Sequence, residues 1–345
     1  MTTNTVFIIG AGASKEANLP TGHELKSKIS RLLDIKFDLS KQVSGDYLIT
    51  EALRRIVQQP DGRGGDINPY LYEAWHIRDA FPQAISIDNF IDSQRENEKI
   101  AICGKLAIVK SILEAEKGST LYIRPHSDKP SLNYSALDGS WYNAFFKLLT
   151  ENCSSLELED RFQSITLIIF NYDRCVEHYL INAVMNYYRI KQDEAANLIG
   201  LITIFHPYGS VGKLPLIERN GSIGYGDEVN SLQLLELSNG IRTFAEGTDA
   251  DSSNINAIRC SMAKADKVVF IGFAFHKLNM SLISPRSIDK RKTPLCYATA
   301  LGISESDKHV VTNQIRQLYN ANLQVHISSV SCREFFDEYW RSLSF

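Results

Sequence analysis

A chain of 345 residues, with 44% hydrophobic and 22% charged residues, has the balance of a folded globular protein and is long enough for one large domain or two ordinary ones. Its formal net charge of −3 excludes a general electrostatic pull toward nucleic acid, so no direct sequence-specific nucleic-acid binding is expected. No apolar run approaches the roughly 18 residues of a membrane span, and no basic segment precedes a long apolar core at the N-terminus; the expectation is a cytoplasmic protein without membrane contact.

The chain opens on Val6-Phe7-Ile8-Ile9, an apolar run that reads as a buried parallel strand, and passes directly into Gly10-Ala11-Gly12-Ala13-Ser14. Small residues there let backbone approach a phosphate, and a following helix would turn its N-terminal amides on the anion. Taken alone the turn is equally an ordinary strand-to-helix connection, because Lys15 stands where a dinucleotide fingerprint would place its third glycine. From 23 to 159 the texture is helical, with candidate helices over 23–33, 46–58, 68–81, 87–117 and 140–153. Turn-rich stretches such as 60–66 and 124–138 separate them.

Beyond residue 160 the pattern changes. Strand candidates at 166–170, 201–205, 267–273, 295–300 and 323–327 alternate with helical spacing over 176–189, 304–319 and 331–343. This predicts an α/β protein, a Rossmann-like doubly wound parallel sheet built from residues 1–22 and 160–345. Residues 23–159 would be an inserted helical subdomain forming a second lobe. The cysteines at 103, 153, 175, 260, 296 and 332 form no CxxC pair, which argues against a sequence-local zinc site and for free thiols. The cations Arg286, Lys290, Arg291 and Lys292 cluster in one stretch and read as a solvated loop or a local basic patch.

In open parallel sheets ligands bind beyond the carboxyl ends of the strands. Gly10–Ser14, Asn171–Asp173, His206–Ser210 and Gly272–Phe275 each follow a predicted strand, so four segments would converge on one crevice. Asn171 can hold a water or a ribose hydroxyl through both donor and acceptor. Asp173 can accept from hydroxyls, or cap the helix that follows. His206, at the tip of another strand, is the natural general base. Gly209 and Ser210 would bring backbone amides to a ligand. Gly272 and Phe273 would admit the adenosine side of a dinucleotide, and Asn279 would bind ribose or cap a helix. His276 is a lesser base candidate.

These motifs resemble those of the sirtuin superfamily, in its bacterial sirtuin-like branch associated with anti-phage defence. Gly10–Ser14 is similar to the sirtuin phosphate-binding turn, and Phe170-Asn171-Tyr172-Asp173 to its asparagine-aspartate motif. His206-Pro207-Tyr208-Gly209-Ser210 resembles its histidine-glycine motif with one extra residue. Ile271–His276 through Asn279 resembles the glycine loop of this branch, and Ser86-Ile87-Asp88-Asn89-Phe90 a segment common there. The resemblance implies a glycohydrolase that splits NAD into nicotinamide and ADP-ribose, depleting NAD during phage attack. It implies catalysis by Asn171, His206 and Asp173, and a pyrophosphate cradle made by Gly10, Ala11, Gly12, Ala13 and Ser14. It further implies a homo-oligomer activated by a phage cue or a partner, such as a HerA-type ATPase or another defence sensor.

The chain also departs from deacylase sirtuins. It lacks their four-cysteine zinc module, and Leu19-Pro20-Thr21-Gly22 stands in place of the run that lines their nicotinamide pocket. Two other readings therefore remain: a zinc-free deacylase or ADP-ribosyltransferase, and a module that senses NAD or ADP-ribose without turnover.

Overall fold

The computed structural model describes residues 3–125, 130–218, 221–247, 253–286, 293–321 and 323–345. The cation group of the sequence falls largely outside these; Arg286 alone is described.

The strands in chain order are β1 (Thr5–Ile9), β2 (Lys36–Asp38), β3 (Lys41–Ser44), β4 (Ile165–Ile169), β5 (Thr203–Phe205), β6 (Lys267–Ile271), β7 (Leu295–Thr299) and β8 (Val325–Ser328). Six of them form one parallel sheet in the order β5-β4-β1-β6-β7-β8. Counted along the parallel strands alone, that is the doubly wound order 3-2-1-4-5-6, with β1 in the middle and the reversal between β1 and β6. The fold is therefore Rossmann-like. The strands hold because both faces are covered: Val6 and Ile8 enter one hydrophobic core while Phe7 and Ile9 enter the other, as alternation along a pleated strand requires.

The helical stretch between β1 and β4 supplies both cores. Gly22–Leu32, Tyr47–Ile56, Asn68–Ala80 and Glu98–Lys117 pack on the side of Val6 and Ile8. Trp141–Thr150 packs on the side of Phe7 and Ile9, together with Cys175–Tyr188 and Cys332–Leu343. The single helix expected over 87–117 is two, Ile87–Ser93 and Glu98–Lys117. Asn97 breaks it, because its side chain accepts the amides of Lys99 and Ile100 (3.2 and 3.4 Å) and starts a new helix. The β2–β3 hairpin and the helices Gln192–Ile199, Ser231–Ser238, Ser253–Lys264 and Lys277–Ile283 went unread in the sequence, being short and weakly periodic.

Registry fixes where the loops emerge. Ile9 pairs with Ile169 on one side and Ile271 on the other, so Gly10, Phe170 and Gly272 leave the sheet at one level. There the first loop and the β6 loop touch backbone to backbone. Gly10 N–H donates to the Ile271 carbonyl and Gly12 N–H to the Gly272 carbonyl, both at 3.0 Å. A Cβ on Gly10 would sit 2.5 Å from the Gly272 carbonyl oxygen, and one on Gly12 would sit 2.8 Å from it. Gly272 itself has a left-handed φ of +57°, and a Cβ there would sit 2.0 Å from the Ala13 nitrogen. Gly272→Ala should therefore cost about 2 kcal/mol or more in urea unfolding, because neither backbone can give way. Gly64→Ala, which meets nothing within 4 Å, should stay within about 0.5 kcal/mol. Equal effects of the two substitutions would contradict this account of the contact.

Candidate functional site

The first loop makes only a short helix, Ala11–Ser14, followed by a 3₁₀ turn at Lys15–Ala17. The helix expected to turn its N-terminal amides on an anion is this one short turn, and two amides of it are already spent: Gly12 on Gly272, and Ala13 on the Gly10 carbonyl at 3.0 Å. What the turn does present is Ser14. Its hydroxyl donates to Asp173 Oδ2 at 2.8 Å and accepts from Asn171 Nδ2 at 2.8 Å. Asn171 Nδ2 also donates to the Gly10 carbonyl at 3.1 Å. Ser14, Asn171 and Asp173 are all buried, so the ends of β1 and β4 share one polar network in a low-dielectric place.

The network limits what each group can do. Asn171 has both donor hydrogens engaged, so its Oδ1 is the part left to hold a water or a hydroxyl. Asp173 uses Oδ2 on Ser14 and Oδ1 on the Cys175 amide at 3.1 Å. The capping and site readings of Asp173 are thus both realised, one per oxygen. Burial pushes its carboxyl above the ordinary range, against the pull of those two hydrogen bonds.

His206 leaves β5, which stands beside β4 with Ile168 level with Phe205. Its Nδ1 lies 3.2 Å from the Asn171 carbonyl and its Nε2 lies 2.6 Å from Glu177 Oε1. Both partners are acceptors, an arrangement that favours the doubly protonated ring over either neutral tautomer. Burial pulls the ring's pKa down, but the Glu177 charge, its hydrogen bond and the Asn171 carbonyl together outweigh burial and leave it above 6.5. Burial pushes Glu177 up, yet the His206 charge and hydrogen bond bring its carboxyl below 4.5. Glu177 Oε2 is buried without a hydrogen-bond partner, the one carboxylate oxygen so placed among the described residues. It is an acceptor able to receive a further hydroxyl or water.

Sequence reasoning missed Glu177. A glutamate in the first turn of Cys175–Tyr188 reads as a complement to the helix dipole. The available signal was its position four residues after Asp173, one helical turn from the strand end. Beside it Arg174 is fully buried and doubly bonded to Glu116, with Nε 3.0 Å from Oε1 and Nη2 2.5 Å from Oε2. Arg174 also donates to the carbonyls of Ile223 (2.5 Å) and Gly224 (3.1 Å), pinning the segment after His206 to the end of Glu98–Lys117.

The remaining predicted residues spread along the rim. Gly209, with φ +76°, turns where the Gly240 carbonyl leaves no room for a side chain: a Cβ would sit 1.9 Å from its oxygen. Ser210 is half-buried and bonds the Gly212 carbonyl at 3.3 Å. Phe273 is buried among Phe170, Phe270 and Phe275, with ring centroids 5.1 to 5.7 Å away, so it is core rather than open wall. Asn279 accepts the Tyr208 hydroxyl, which joins the glycine loop to the His206 loop. His276 is exposed and bonds none of the groups above. Tyr172 donates to Asp88, whose carboxyl burial raises to about 6. Lys15 pairs with Glu24, and both side chains are exposed. The six cysteines are free thiols.

The crevice at His206 is lined by Phe205, Pro207, Arg242 and residues 254, 255 and 258, and holds about 20 Å³. That is room for roughly one water. Helix Ser253–Lys264 closes it. Ser14, Asn171, Asp173 and Glu177 do not line this small cavity.

The fold and network define a Rossmann-like α/β protein with a buried Ser-Asn-Asp-His-Glu constellation at the carboxyl ends of its central strands. Compared with protein-family models and with curated proteins, the chain matches none. Among the described residues no helix is long and apolar enough to cross a membrane.

The His206–Glu177 pair gives a pH prediction. His206 contributes stability that is fully present below 6.5 and is lost as pH rises through its raised value. Glu177 contributes stability present above 4.5 and lost as pH falls through its lowered value. In histidine-selective NMR, His206 should titrate with a midpoint above 6.5, and Glu177→Gln should move that midpoint down. A midpoint unmoved by the substitution would remove Glu177 from this role.

Proposed function

We propose that the chain is an NAD glycohydrolase that converts NAD and water into nicotinamide, ADP-ribose and a proton. The observation that carries this reading is that the four motifs of the sirtuin resemblance lie around one strand-end network, in which Asn171 bonds both Ser14 and His206. Nicotinamide leaves as a neutral molecule with the electrons of the C1′–N bond, so its departure needs no acid. The ribose left behind is oxocarbenium-like and must be captured by water. Asn171 Oδ1 holds that water or a ribose hydroxyl. His206 acts as general base through Nδ1: with that nitrogen deprotonated and turned off the Asn171 carbonyl, it takes the proton of the attacking water as the new C1′–O bond forms, a role worth ~10²–10⁴-fold. Glu177 keeps the ring oriented and stabilises its charge after the transfer. Ser14, fixed by Asp173, stands with Gly10 and Gly12 on the side where a pyrophosphate would pass.

A cytoplasmic NAD-destroying enzyme has to be silent at rest. We take the activating event to be oligomer formation together with a partner, such as a HerA-type ATPase or another defence sensor, or a phage cue.

The test is incubation with NAD, alone and with extract of phage-infected cells, followed by chromatography of the products. Nicotinamide and ADP-ribose should appear in equal amounts, and Asn171→Ala and His206→Ala should each lower turnover at least about a hundredfold while circular dichroism stays unchanged. Release of neither product under both conditions would overturn the hydrolase. Transfer of ADP-ribose to an acyl group or a protein would replace it with the transferase.

A further inference from the structure

A second cavity lies away from the strand ends. It measures about 430 Å³, within the range of small-molecule sites, against about 20 Å³ at His206. It opens between the helices Trp141–Thr150, Cys175–Tyr188 and Cys332–Leu343. Tyr187 on its wall stands about 15 Å along the same helix from Glu177, at 1.5 Å per residue.

Five aromatic side chains line it: Tyr134, Phe146, Tyr179, Tyr187 and Trp340. Their mutual contacts are edge-on, at 71° for Tyr134–Tyr179, 78° for Phe146–Tyr179 and 79° for Phe146–Tyr187. Phe146 and Tyr179 are buried, whereas Tyr187 is exposed and Tyr134 and Trp340 are half-buried, so these three rings offer surface to a flat ligand.

Of the charges on the wall, Lys147 is paired, while Glu151 has its oxygens engaged by neutral donors and keeps its negative charge. The Lys147 ammonium lies 2.7 Å from Asp138 Oδ1. Glu151 accepts Trp340 Nε1 at 2.9 Å through one oxygen and the Ser344 hydroxyl at 2.8 Å through the other. No arginine lines the cavity. Among the described residues, the Asn152 and Asn186 amides and the Tyr134 phenol line the cavity and make no side-chain hydrogen bond. Aromatic rings with amide edges beside the Glu151 carboxylate disfavour an anion and suit an uncharged planar ring that carries its own donors and acceptors.

We propose that this cavity is a second ligand site, separate from the strand-end network, for a neutral heteroaromatic group of nucleobase or carboxamide-pyridine type. A nucleoside and free nicotinamide share that chemistry, and the test separates them. It does not depend on NAD hydrolysis, because it reads binding alone.

The experiment is isothermal titration calorimetry of the full chain with adenosine, guanosine, cytidine, uridine and nicotinamide, plus adenosine monophosphate as a charged comparison. At least one neutral probe should bind with a Kd of about 1 mM or tighter. The monophosphate should bind no tighter than adenosine. Tyr187 is 62% exposed, so Tyr187→Ala should leave the melting temperature unchanged and weaken the best probe about tenfold, the scale of one ring stacked on a base. Asn186→Ala, also at an exposed position, should weaken it or change which probe is preferred. Tyr72→Ala, an equally exposed tyrosine elsewhere, should change nothing. Absence of binding by every neutral probe up to about 10 mM would overturn the proposal, as would an affinity and preference unchanged in both cavity variants.

Discussion

Two backbones meet without side chains between them at the carboxyl end of the sheet, and the rest of the molecule is arranged around that contact. The Gly272 carbonyl lies against Gly10 and Gly12, in positions where any Cβ would collide. Because β1 is paired in register with both β4 and β6, this one contact also sets the height of Asn171 and, through β5, of His206. Ser14 then reaches across to Asn171 and Asp173. The glycines of the first loop are accounted for by this close approach before any ligand is considered. A phosphate at the same turn would meet Gly12 with its N–H already given to Gly272.

The charged groups behind the strand ends divide into two buried pairs with different work. Arg174 and Glu116 satisfy each other and gather the carbonyls of Ile223 and Gly224, which makes them a fastening between the helical stretch and the loop after β5. Removing one partner would leave a buried charge unmatched, at a cost of about 3–5 kcal/mol. His206 and Glu177 are less complete. The ring is 15% exposed and Glu177 Oε2 has no partner, so the pair keeps an open side. An incompletely satisfied buried pair in a crevice is what distinguishes a chemical site from a fastening.

Much of the sheet was legible because β1 and β6 are buried on both faces and read as unbroken apolar runs. The motif loops were legible for the same reason: each sits immediately after a strand. The break at Asn97 was hidden because an asparagine inside a helical pattern shows its capping role only once the amides of Lys99 and Ile100 turn toward it. Glu177 and the Arg174–Glu116 pair were hidden for a different reason. Their partners lie 29 and 58 residues away in the chain, and nothing local marks which charges will meet. The double engagement of His206 likewise required geometry, since the sequence shows the imidazole but not the two acceptors that favour its protonated form.

The central claim is that the strand-end network forms one NAD site. The most direct measurement is histidine-selective NMR during titration with ADP-ribose, the product that would occupy the same place. The His206 signals should move to saturation, while those of His178, buried against Leu121 and Tyr225, stay in place. Unmoved His206 signals at millimolar ADP-ribose, or saturable shifts confined to other histidines, would contradict the account.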